Sequence, residues 1–259
     1  SSDVCSSDLE WNDRFRDDVR RFWRGDAHVL PDLATRLAGS SDVYGHYPDD
    51  SRSTNFLAAH DGFTLADVTS YRRKHNLANG ENGHDGHGEN FSWNHSHEGD
   101  TPAPGIRAKR HDDVKAMLAI LFVSRGTPLL TAGDEFGRTQ KGNNNAYAQD
   151  NKTTWLDWAK RDLELEAFTA ELSALRNRHP ALHSPLLLTG RALDGADMPD
   201  IQWFRADGRH METANWEDSE NRFLGFVLSV AASGKRKADH VAVVINRNEG
   251  RLHVTLPDA

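Results

Sequence analysis

The chain has 259 residues, of which 37% are hydrophobic, and its 31 Lys and Arg against 39 Asp and Glu leave a net charge of −8. An acidic balance without clustered Lys and Arg argues against nucleic acid as a partner, and no apolar run approaches the roughly 18–20 residues that cross a membrane. The length allows one large domain or two ordinary ones, and a single cysteine, Cys5, rules out a disulfide within the chain.

Cys5 lies in Ser1-Ser2-Asp3-Val4-Cys5-Ser6-Ser7-Asp8-Leu9, which has no apolar period and no relation to the rest of the chain, so residues 1–9 read as a non-native artefact. Without that string the chain has no cysteine, which suits a reducing, cytoplasmic compartment. From residue 10 to 26 charge alternates with aromatics, and Phe15, Val19, Phe22 and Trp23 recur at helical spacing until Gly25. That spacing predicts a helix with one buried face. Residues 40–53 are rich in Ser, Asp, Gly and Pro and predict a loop. Asn55-Phe56-Leu57-Ala58-Ala59 is a continuous run of the kind found in strands buried on both faces of a parallel sheet, and it ends in His60-Asp61-Gly62.

A short helical stretch is expected over 65–75, then a polar loop over 79–105 whose length marks it as functional or disordered. Val114, Met117, Leu118, Leu121 and Phe122 form one stripe, predicting a helix over 106–124 that Gly126 and Pro128 stop. Pro128-Leu129-Leu130-Thr131-Ala132 then reads as a second buried strand, ending in Gly133-Asp134-Glu135. Strand, crossover helix and strand make a parallel βαβ unit, with polar residues where α/β barrels place their chemistry. Leu165, Phe168, Leu172 and Leu175 predict a helix over 163–178, ended by His179-Pro180. Beyond 183 the pattern turns to β, with runs at 201–204, 223–230, 241–245 and 252–256, implying an antiparallel sheet as half of a sandwich. The basic run Lys235-Arg236-Lys237 reads as a solvated turn, and the domain junction is expected near 181–189.

Four ordered blocks carry a resemblance. They are Asn55 to Leu65 around His60-Asp61-Gly62, Ala132-Gly133-Asp134-Glu135-Phe136-Gly137, Gly142 to Asn151, and Trp155-Leu156-Asp157-Trp158. Together with Trp203-Phe204-Arg205 and Asn215-Trp216 they resemble the glycogen debranching enzymes and isoamylases of the α-amylase superfamily, from about residue 10 onward. The resemblance implies an α/β fold: the C-terminal portion of a (β/α)8 TIM barrel over 10–182, followed by an antiparallel β-sandwich domain over 183–259, itself truncated. It implies a retaining glycoside hydrolase acting on α-1,6 branch points, with branched α-glucan (glycogen or limit dextrin) as partner, no cofactor and no metal. Two alternatives stay open: another α-1,4-glucan hydrolase or transferase of the superfamily, and a non-catalytic glucan-binding module.

Retaining glycosidases need a nucleophilic carboxylate and an acid about 5–5.5 Å apart. By resemblance Asp61 is neither, but a third carboxylate that stabilises the transition state by gripping hydroxyls beside the reacting carbon, and His60 bonds the same sugar. The alternative for Asp61 is a helix N-cap. Asn145, Tyr147 and Asp150 are the expected glucose contacts, against an Asn-rich turn that satisfies itself. Arg14-Phe15-Arg16-Asp17 echoes the nucleophile motif only superficially, and Glu135 matches the eighth strand rather than the acid's strand. Nucleophile and acid are therefore expected upstream, leaving the chain alone inert. His84, His87, His95 and His97 lack the spacing of a zinc site and read as solvated loop histidines. Trp93 either stacks on a sugar or packs the loop down.

Overall fold

The computed structural model describes residues 9–46, 51–192, 198–234 and 237–257. Most of residues 1–9, the expected artefact, and two residues of the basic run, Lys235 and Arg236, therefore lie outside the described residues. Strand β1 (Glu10–Asn12) runs directly into helix α1 (Asp13–Arg24), so the helix expected from residue 10 starts three residues later. Asn12 makes the transition: its Oδ1 caps α1 by accepting from the Phe15 amide at 3.0 Å, and its Nδ2 donates to Ser40 and Ser53. Gly25, at φ 96°, ends the helix in the left-handed form that glycine takes without strain.

Helix α2 (Leu30–Leu37) comes next, and α3 (Ser41–Tyr44) occupies part of the stretch expected as loop. Strand β2 (Ser53–Phe56) is buried throughout and begins two residues before the predicted run, in polar sequence. Its buried polar groups are bonded: Ser53 Oγ donates to Asn55 Oδ1, and Asn55 Nδ2 donates to the Arg125 carbonyl at 2.8 Å. Helix α4 (Leu65–Val68) is one turn long, the residues to 75 continuing as turns.

Helix α5 (Pro104–Val123) carries the predicted stripe and leads into β3 (Thr127–Leu129), which is shorter and more exposed than the buried strand expected over 128–132. The three strands pair in parallel in the order β1-β2-β3. Helix α6 (Leu163–Arg178) matches its predicted bounds. From its last turn Arg176 donates to the carbonyls of Phe122, Ser124 and Gly126, fastening the α5–β3 corner.

After α7 (Pro180–His183) the chain forms β4 (Ile201–Phe204), α8 (Thr213–Glu217), β5 (Phe223–Val230) and β6 (Asp239–Asn246), an antiparallel sheet in the order β4-β5-β6. The strand expected over 252–256 does not form. That segment is tied instead by the Thr255 amide to the Ala206 carbonyl, and Val254 packs beside Phe204. No described helix is long and apolar enough to cross a membrane.

Both sheets share one core: Phe15, Val19, Leu33, Leu118 and Leu121 merge with Ile201, Leu224, Phe226, Leu228 and Ile245. Polar ties reinforce it, with Arg247 donating to the Trp23 carbonyl at 2.8 Å and Asp239 accepting from the Ala181 amide at 3.0 Å. Truncating the buried Phe226 to Ala should cost about 3–5 kcal/mol. Because the core is shared, hydrogen exchange should speed up at Leu118 in α5 as well as at Leu228 in β5. Loss of protection confined to β4–β6 would show two separate cores.

Candidate functional site

The end of β2 is the centre of the site. Leu57 and Ala58 stay buried, and the chain then turns through His60, Asp61 and Gly62 before entering α4. This turn is pinned from four directions. The buried Arg20 of α1 donates to the Leu57 carbonyl at 2.5 and 3.0 Å and to Phe63 at 3.4 Å, and its remaining arm donates to Asn90 at 3.0 Å. Asp134, just past β3, accepts from the Leu65 amide at 3.0 Å. Thr131 donates to the Ala58 carbonyl, and the Gly62 amide donates to the Asn144 carbonyl at 2.9 Å. Burial pushes Asp134 up to about 7.

Asp61 itself is left 44% exposed and meets His87 Nε2 at 3.4 Å. It is not a helix cap: Thr64 caps α4 by accepting from the Asp67 amide. The carboxylate opens on a hollow of about 160 Å³ shared with Arg16, Asp17, Arg20, His87, Asn90 and Phe91.

Behind the turn, and bonded to it through Asn144, a network of amides joins the 76–90 and 139–150 loops. Asn76 and Asn144 exchange hydrogen bonds at 2.8 and 3.0 Å, and Asn144 Nδ2 donates to Asn90 and to the His87 carbonyl. Asn143 and Asn79 bond each other, while Asp85 Oδ2 accepts from Asn76, Asn79 and Asn145. These bonds hold the Asp85 carboxyl below its ordinary range. Beneath the network the buried Asp67 accepts from the Thr139 hydroxyl and from the Gln140 and Gly142 amides. Burial raises Asp67 to about 6.

The predicted contacts divide. Asp61 faces the hollow, and His60 is exposed beside it with its ring edge-on to Trp11 at 5.6 Å. Asn145 gives its amide nitrogen to Asp85, Tyr147 is 84% exposed, and Asp150 accepts from Trp155 Nε1 at 2.9 Å. The loop carrying these three is joined to the Asp61 turn through Asn144. Among the described residues no hydrogen bond links their side chains to Asp61. The loop histidines separate too: His95 pairs with Asp113 and His97 with the Asp100 carbonyl. No described group of three or more His, Cys, Asp or Glu residues is placed to hold a metal. Trp93 donates to Asp113 and packs against the core, holding the loop down.

Sequence reasoning missed Arg20, His87, Asn144 and Asp134. Arg20 did carry a signal, a charge beside Val19 on a helix whose neighbouring positions are buried. His87 carried none, since its link to Asp61 spans 26 residues of irregular chain.

The raised pKa of Asp134 has a pH signature. Between about pH 4 and 7 the folded protein keeps a proton that the unfolded chain has released, so this group's stabilisation is complete below 4 and is lost as pH rises through 7. Asp134→Asn keeps an acceptor for Leu65 but removes the titration. The stability of the native protein relative to this variant should fall by about 2–4 kcal/mol from pH 4 to 7. Urea midpoints measured across that range test this, and a constant difference would contradict it.

No protein-family model matches the chain. The glycogen debranching enzyme of Serratia proteamaculans is 43% identical over 252 residues, covering 96% of this chain and 35% of that protein. The glycogen operon protein GlgX homolog of Mycobacterium tuberculosis is 43% identical over 226 residues, covering 85% of this chain and 31% of its own length. The chain thus spans about a third of the length of these curated relatives. Among solved structures, pullulanase from Paenibacillus barengoltzii in complex with maltohexaose and α-cyclodextrin superposes with a TM-score of 0.61 at 21% identity, over 93% of this chain and 32% of that one. The maltotriose complex of PulA from Klebsiella pneumoniae gives 0.61 at 14% identity, over 92% and 31%. These structures share the fold, and over most of its length the chain is similar in sequence to about a third of the length of the bacterial glycogen debranching enzymes.

Proposed function

We propose that the chain forms the Asp61 side of a retaining glycoside hydrolase site acting on α-1,6 branch points of glycogen or limit dextrins. The observation that carries this reading is the half-exposed Asp61 carboxylate, presented into a hollow from the end of a buried parallel strand that Arg20 and Asp134 hold. The names of the relatives, glycogen debranching enzymes, support the branch point of glycogen as the substrate, and a cytoplasmic location is part of the same proposal.

In this reading Asp61 accepts hydrogen bonds from two hydroxyls next to the reacting carbon. As the ring flattens toward an oxocarbenium ion the hydroxyls gain acidity, so the bonds tighten most at the transition state, where they lower the barrier. Arriving hydroxyls displace the long His87 contact, which costs little at 3.4 Å. His60 donates to the same sugar. Tyr147 offers an exposed ring, Asp150 an exposed carboxylate, and Asn145 its Oδ1, since only its nitrogen is engaged by Asp85.

The two other carboxylates that line or flank the hollow are engaged elsewhere: Asp17 pairs with Arg16 at 2.7 Å and Glu89 with Arg24 at 3.1 Å. We therefore assign the nucleophile and the acid to the length of the relatives that this chain does not match. In this reading β1, β2 and β3 are strands of an eight-stranded barrel whose remaining strands carry the nucleophile and the acid.

Titrating the purified chain with maltotriose tests the reading. Asp61→Ala should weaken binding about tenfold or more, the scale of losing a charged hydrogen-bond acceptor, and the chain should release no reducing ends from limit dextrin. Unchanged affinity in the variant would remove Asp61 from the site, and measurable turnover would show that the nucleophile and acid lie within these residues.

A further inference from the structure

Two Asn-Gly pairs fall in the long loop, Asn79-Gly80 and Asn82-Gly83. Asparagine is among the thermolabile residues, and a following glycine, having no Cβ, leaves its own nitrogen unhindered. That nitrogen can attack the asparagine Cγ: the new C–N bond closes a five-membered succinimide and ammonia leaves. Water then opens the ring at one carbonyl or the other, giving aspartate or isoaspartate. The attack needs a glycine N–H that can surrender its proton and a side-chain amide that can turn toward it. Both pairs offer the same atoms, so a difference in their reactivity comes from the fold.

Asn79 is held. Its Nδ2 donates to Asp85 Oδ2 at 2.7 Å and to the Asn145 carbonyl at 3.0 Å, and its Oδ1 accepts from Asn143 at 2.8 Å and from Gln149 at 2.9 Å. The Gly80 N–H donates to the Leu77 carbonyl at 3.2 Å. Turning this amide toward Gly80 therefore breaks into the network that joins the two loops.

Asn82 is exposed. With Gly83 it forms the middle of a turn that the His84 amide closes on the Glu81 carbonyl at 3.0 Å. Both central residues hold positive φ, 52° and 74°, which Asn and Gly adopt more readily than other residues. Among the described residues neither the Asn82 side chain nor the Gly83 N–H makes a hydrogen bond. A Cβ placed on Gly83 would meet only Leu77, at 3.9 Å, so the space around this nitrogen is open.

We infer that Asn82 is a site of spontaneous modification, converted by the Gly83 nitrogen and water to aspartate and isoaspartate, while the fold protects Asn79 from the same reaction. The aspartate product sets a new carboxylate beside Glu81. The isoaspartate product adds a carbon to the backbone of a tight turn just ahead of Asp85, the acceptor shared by Asn76, Asn79 and Asn145. The segment that carries Asp85 and His87 thus changes in charge and length as the protein ages. This inference stands whether or not the Asp61 cleft takes a glucan.

Ageing the full chain in mildly alkaline buffer, with samples mapped by mass spectrometry, tests it. Cleavage after Glu81 and Glu89 places Asn79 and Asn82 in separate peptides. In the folded chain Asn82 should convert roughly tenfold faster than Asn79 or more, because only Asn79 must first break several hydrogen bonds. In concentrated urea the two should convert at similar rates. Asn82→Gln, which closes a ring far less readily, should remove most of the acidic species that appear on isoelectric focusing of the aged native chain. Equal conversion of the two residues in the folded chain would overturn the inference, as would an Asn82 that stays intact while the unfolded chain reacts. A preference for Asn82 that persists in urea would show that the neighbouring sequence, and not the fold, sets it.

Discussion

The buried guanidinium of Arg20 is the tie on which the site depends. Among the described residues it pairs with no carboxylate; its donors go to the carbonyls of Leu57, Phe63 and Asn90, which belong to the strand end, the turn and the long loop. A buried charge is tolerated only when its donors are met, so these three carbonyls cannot drift independently without leaving it unpaired. The consequence is positional: Asp61 sits between Leu57 and Phe63 and inherits their rigidity, while its own side chain stays in solvent. An exposed reactive group on an immobilised backbone is what precise binding of a sugar requires.

The adjoining loops achieve the same end largely with neutral groups. Asn76, Asn79, Asn143 and Asn144 donate and accept among themselves, and Asp67 and Asp85 gather the remaining amides. The many shared bonds hold the two loops in one arrangement, with Asp85 Oδ1 left as a buried acceptor without a hydrogen bond. They carry the 143–150 segment to the Asp61 turn and leave Tyr147 and Asp150 outward, available to a ligand.

Much of the framework was legible in the sequence because it is periodic. The stripes of α5 and α6 and the long apolar run of β5 locate those elements to within about two residues. Short elements were not. β1 is three residues of Glu, Trp and Asn whose strand character comes only from pairing with β2, and α2 offers two turns with Pro31 in the first. The 252–256 segment does alternate, but alternation is half of what a strand needs, and no partner strand pairs with it among the described residues. At the site, His60 and Asp61 could be named because their motif is contiguous. The groups that hold them could not: Arg20 acts across 37 residues, and its role lies in carbonyls that no side-chain pattern reveals.

Glucose held against Asp61, with the 143–150 loop nearby, is the central claim. A crystal structure of the chain grown with maltotriose tests this most directly. It should show sugar hydroxyls within hydrogen-bond distance of both Asp61 carboxylate oxygens and the His87 contact broken. A sugar bound elsewhere, with Asp61 still turned to His87, would contradict it.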